Sequence, residues 1–69
     1  MEETLISIIM CTYNETVEYV KMAVESILTQ TYKTIELVIV IDNPQNLDVV
    51  VYIKKCALKD DRVRFYVNS

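Results

Sequence analysis

The stretch Leu5–Glu15 reads LISIIMCTYNE, a run of apolar, mostly β-branched residues that stops at a small polar cluster. Leu5, Ile6, Ile8, Ile9 and Met10 form an apolar block of strand length, and such a block with a polar boundary predicts a strand buried on both faces. Cys11, Thr12, Tyr13, Asn14 and Glu15 would then lie at its carboxyl end. In open α/β sheets that end is where ligands bind.

Downstream the pattern changes period. In Thr16–Thr31, Val17, Val20, Val24, Ile27, Leu28 and Thr31 follow helical spacing, with charged residues mainly on the other side. This predicts an amphipathic helix capped by Asn14 or Thr16, with Glu18 favourably placed in its first turn. A polar connection, Gln30–Thr34, leads to Ile35–Ile41, a second β-branched strand. The cluster Asp42-Asn43-Pro44-Gln45-Asn46 follows, with Asn43 suited to cap a helix and Pro44 to its first position. Leu47–Leu58 is ambiguous, because three consecutive valines favour strand. Leu47, Val50, Val51, Ala57 and Leu58 recur at helical spacing, which predicts a helix. Lys59-Asp60-Asp61 turns the chain, and Arg62–Val67 alternates as a third strand. A β-α-β-α-β order calls for a parallel sheet with right-handed crossovers. The polar clusters after the first two strands would share one rim.

Composition narrows the chemistry. The 69 residues include no glycine, which excludes a glycine-rich phosphate loop, and no histidine, which excludes histidine-dependent triads and metal sites. A net charge of −3, with no basic stripe, argues against binding a nucleic-acid polymer. Cys11 and Cys56 have no framework spacing and read as reduced thiols of a cytoplasmic chain. No apolar run approaches the roughly 18 residues of a membrane span, and the acidic start MEETL is unlike a signal peptide. Hydrophobic residues make up 52%, more than a chain this short hides well. That surplus suggests self-association or a piece of something larger.

Three segments are more specific: Ser7–Asn14 (SIIMCTYN), Glu25–Tyr32 (ESILTQTY) and Glu36–Asn43 (ELVIVIDN). In order and spacing they resemble the start of a family 2 glycosyltransferase of the GT-A fold. The pattern there is a strand ending in (P/C)-T-Y-N, a helix ending in S-(I/L)-L-x-Q-T-Y, and a strand ending in D-D-x-S. Asp61–Tyr66 resembles the third strand of that family. The fold implied is a Rossmann-like half of a GT-A domain, a three-stranded parallel sheet in the order 3-2-1 with two helices. Departures are Ile41-Asp42 in place of two acids, Asn43-Pro44 in place of a small-residue turn, and Cys11 where proline or threonine is commoner.

The resemblance implies a nucleotide-sugar donor, UDP-linked, with a glycan or lipid-linked acceptor, in bacterial polysaccharide biosynthesis. Tyr13 would stack on the nucleobase and Asp42 would hydrogen-bond its edge, while Cys11, Thr12 and Glu15 line the same pocket. Stacking of a base on an aromatic ring is worth about 1–3 kcal/mol. A carboxylate accepts the imide N–H of uracil and so reads hydrogen-bond polarity. Plainer roles compete: Tyr13 as a half-buried tyrosine at the sheet edge, Asp42 as a turn or cap acid, Glu15 as a solvated first-turn acid.

In such enzymes a D-x-D motif after a later strand holds a divalent metal, Mn or Mg, and a later carboxylate serves as base. Neither motif occurs in these 69 residues, and Asp60-Asp61 precedes a strand rather than following one. The expectation is a truncated nucleotide-binding portion, residues 1–69, inactive alone, binding no metal, and joined to copies of itself through Ile6–Met10. In a longer protein it would lie at the inner face of the membrane or in the cytoplasm. The alternative is a small α/β protein-interaction module without catalytic activity.

Overall fold

The computed structural model describes residues 5–30 and 34–68. Five elements alternate: β1 (Ile6–Thr12), α1 (Val17–Gln30), β2 (Ile35–Ile41), α2 (Leu47–Lys59) and β3 (Val63–Val67). The three strands form one parallel sheet in the order β1-β2-β3, with Ile6 level with Ile35 and Leu37 level with Val63. The expected α/β architecture and strand order are therefore present. The expected end of α1 at Thr31, and the connection through Lys33, lie outside the described residues.

Ile35, Leu37, Ile39 and Ile41 of β2 are buried, and all but Ile35 join Val20 and Val24 of α1 and Val49, Val50 and Ile53 of α2 in one cluster. Both crossovers step in the same direction across the sheet. Both helices pack against the same β2 residues and so lie on one face, as two crossovers of the same hand require. On the opposite face, carrying Ser7, Ile9, Cys11, Glu36, Val38, Val40, Arg64 and Tyr66, no described element packs. This corrects the expectation that β1 is buried on both faces: Ile9 is 69% exposed and Ile6 51%. An apolar run marks a strand, but its burial depends on where the crossovers place it.

Thr16 caps α1: its hydroxyl accepts the Tyr19 N–H at 3.2 Å and its carbonyl accepts the Val20 N–H. The ambiguous segment is helical, but its inward face is Val49, Val50 and Ile53, with Tyr52, Cys56 and Ala57 packed beside them. Leu47, Val51 and Leu58, expected on the core stripe, point outward, Leu58 being 88% exposed. The helix also begins later than Asn43-Pro44 suggested. Asn43 accepts the Gln45 N–H on its side chain and the Asn46 N–H on its carbonyl, so Pro44-Gln45 forms a turn. Asn46 is the N-cap residue, and its amide is spent elsewhere. No described residue has a positive φ, so these turns work without glycine by using asparagine side chains.

Asp60 makes the α2–β3 turn. Its carboxylate accepts the Arg62 backbone N–H at 3.0 Å and the guanidinium Nη2 at 2.7 Å. Hydrogen bonds from the Arg62 side chain, then from its backbone, hold Asp60 below the ordinary carboxylate range. With the folded value depressed, the pair's stabilisation is present above the unfolded value and fades as pH falls through the folded one. The pair is partly exposed, so its worth is below about 1 kcal/mol. Urea midpoints for the wild type and Asp60→Asn should differ at pH 7 and converge near pH 2.

Candidate functional site

The carboxyl ends of the three strands form one rim. Thr12 lies level with Ile41 and Ile41 with Val67, so Tyr13, Asp42 and Asn68 follow from adjacent strand ends. The Asp42 N–H donates to Thr12 O at 2.9 Å, and the Asn68 N–H to Ile41 O at 2.9 Å. These bonds carry the sheet ladder one residue into the loops, which fixes the backbone on which Tyr13 and Asp42 stand.

Side chains then tie the loops together. The Glu15 carboxylate accepts the Tyr13 N–H, which holds its pKa below the usual carboxylate value. Glu15 thus shapes the turn that presents Tyr13. The Asn46 amide donates to Tyr13 O at 3.3 Å and to Glu15 O at 3.0 Å. Asn43 Nδ2 donates to Asn14 Oδ1 at 3.0 Å, joining the two loops again. The Tyr13 ring itself is 59% exposed. A backbone tied at both ends with a free ring is what a stacking platform requires.

Asp42 is exposed, and its Oδ1 accepts from Asn68 Nδ2 at 2.9 Å. Its other oxygen takes no hydrogen bond from the described residues, so the carboxylate is oriented yet retains acceptor capacity. Sequence reasoning missed Asn68. The signal was available in the parallel register, which sets the residue after β3 beside the residue after β2.

The remaining expected pocket residues divide. Thr12 is the last residue of β1, 3% exposed on the helix-covered face, with its carbonyl taken by Asp42. Cys11, also within β1, is an exposed free thiol on the uncovered face. Tyr13, Glu15 and Asp42 are brought together at the rim; Thr12 supports it from below, and Cys11 flanks it. A separate groove lies between α1 and α2, lined by Lys21, Glu25, Leu28, Tyr52, Cys56 and Lys59. Burial, then a hydrogen bond with Cys56, pushes the Tyr52 phenol well up. It holds none of the strand-end groups. Among the described residues no three His, Cys, Asp or Glu side chains cluster as a metal site. No described helix is long and apolar enough to cross a membrane.

A three-stranded parallel sheet with two helices is an α/β arrangement consistent with a Rossmann-like half-domain. The family model for glycosyl transferase family 2 matches residues 7–69. The chain belongs to that family. It is 43% identical over all 69 of its residues to an uncharacterized glycosyltransferase of Methanocaldococcus jannaschii, and spans 24% of that protein's length. This relative is archaeal and gives no support to a bacterial setting. No solved structure matches the chain significantly.

Proposed function

We propose that the chain is the nucleobase-binding portion of a family 2 glycosyltransferase that transfers a sugar, with inversion, from a UDP-linked donor to a glycan or lipid-linked acceptor. The observation that carries this reading is that Tyr13 and Asp42 directly follow the paired strand ends Thr12 and Ile41, within the segment matched by the family. Tyr13 offers its exposed ring to the uracil face. Asp42, oriented by Asn68, accepts the imide N–H at the base edge. Glu15 and Asn46 hold the Tyr13 backbone still, which lowers the ordering cost of binding. The divalent metal and the acceptor-activating base would come from outside the described residues, so the 69-residue chain binds without transferring.

Discrimination between pyrimidines tests the reading. N3 of uracil carries a proton and N3 of cytosine does not, so Asp42 favours UDP over CDP by about tenfold, the value of one charge-assisted hydrogen bond. Asp42→Asn can donate through its amide and should erase or reverse the preference in calorimetric titrations. Equal affinity of the wild type for UDP and CDP, or the same preference in Asp42→Asn, removes Asp42 from the site. Absence of any nucleotide binding favours the interaction module instead.

A further inference from the structure

Asn46 stands at the start of α2, where an asparagine ordinarily turns its side-chain oxygen back to accept a first-turn N–H. It makes no such bond. Its Nδ2 donates instead to two carbonyls of the β1–α1 loop, Tyr13 O at 3.3 Å and Glu15 O at 3.0 Å. A primary amide has two protons, so this donor is fully used. The backbone of the same residue serves the helix: Asn46 O accepts the Val50 N–H, which opens the α2 ladder. Just beyond it Val49 and Val50 are buried in the core, which anchors Asn46 from that side.

Glu15 braces the Tyr13 turn from within, through the Tyr13 N–H. A turn braced only from within can still swing as a body. The Asn46 amide fixes where it stands relative to Asp42, which lies four residues before Asn46 on the same loop. We propose that Asn46 is a positioning residue of the rim: it forgoes capping α2 to clasp the Tyr13 turn, and so ties order in that turn to order in the first turn of α2. What Tyr13 receives rests on the nucleobase reading; the clasp does not. Linkage makes the coupling reciprocal, so a base that orders Tyr13 also protects the start of α2.

Asn46→Ser and Asn46→Ala separate the two duties of this residue. Serine can cap α2, but its single short hydroxyl cannot bridge two carbonyls of the loop; alanine can do neither. Asn46→Ser should melt about 4–8 °C above Asn46→Ala, the effect of one helix cap in a chain of this size. Both should bind UMP about fivefold more weakly than the wild type in calorimetric titrations, the loss of roughly one net hydrogen bond. Backbone relaxation of the free chains should show residues 13–15 less ordered in both variants. Bound UMP should slow exchange of the Val50 amide in the wild type and not in the variants. An ordinary capping role predicts that serine restores affinity along with stability, and that result overturns the proposal. So does a Tyr13 turn as ordered in Asn46→Ser as in the wild type, or a wild-type Val50 amide that bound UMP leaves unchanged. Loosening of residues 13–15 in both variants, with no UMP binding by the wild type, sustains the clasp and overturns the nucleobase reading instead.

Discussion

Leu37→Ala should leave the chain without a cooperative unfolding transition. Leu37 lies at the middle of the sheet, fully buried, between Ile8 of β1 and Val63 of β3 in register. Truncating a buried leucine costs about 2–5 kcal/mol, because the removed atoms leave a cavity that packed neighbours cannot fill. A chain of 69 residues draws only about 3–5 kcal/mol from a single core. The substitution consumes most or all of that. Thermal melts followed by far-ultraviolet circular dichroism should be sigmoidal for the wild type and nearly featureless for Leu37→Ala. Leu58→Ala, at a site 88% exposed, should melt within a few degrees of the wild type. A cooperative melt of Leu37→Ala close to the wild type would show that the core described here does not hold the chain together.

Tyr13→Ala should weaken UDP binding by about tenfold or more, with little change in stability. The loss is that of one stacked base, about 1–3 kcal/mol, and each 1.4 kcal/mol is a factor of ten. Stability is spared because the ring is 59% exposed, while the hydrogen bonds of residue 13 to Glu15 and Asn46 use only its backbone. Tyr13→Phe keeps the ring and should bind nearly as well as the wild type. Equal affinity for Tyr13→Ala and the wild type, measured by calorimetry, would assign Tyr13 to the sheet edge alone.

Much of this fold is legible in local pattern. Ile35–Ile41 is uninterrupted β-branched sequence between polar clusters, and β2 has those bounds. The valine spacing of α1 marks the face that is buried through Val20 and Val24. What local pattern could not supply was anything set at long range. In α2, Val49, Val50 and Val51 occupy three successive directions on the wheel, so either of two stripes could face the sheet. The stripe through Val49 and Ile53 does so, in a helix whose cap residue, Asn46, is bound to the β1–α1 loop. The exposure of β1 depends on both crossovers stepping the same way, which no residue within Ile6–Thr12 encodes.

The rim divides along the same line. Tyr13 and Asp42 stand out because each ends an apolar run, and the parallel register brings those ends together. Asn68, Asn46 and Asn43 act across 26 to 33 residues of sequence and have no local signature. Thr12 belongs to the polar cluster that closes the apolar run, but the β1–β2 ladder continues through it. Polarity ended the apolar run two residues before the backbone pairing ended.

The most direct test of a nucleobase site on this rim is amide chemical-shift mapping of the 69-residue chain titrated with UMP, with Tyr13→Ala as the control. The account predicts saturable shifts concentrated at Tyr13, Asn14, Glu15, Asp42, Asn43 and Asn68, strongly reduced in Tyr13→Ala. Shifts absent at millimolar UMP, or centred on the α1–α2 groove around Tyr52 and Cys56, would contradict it.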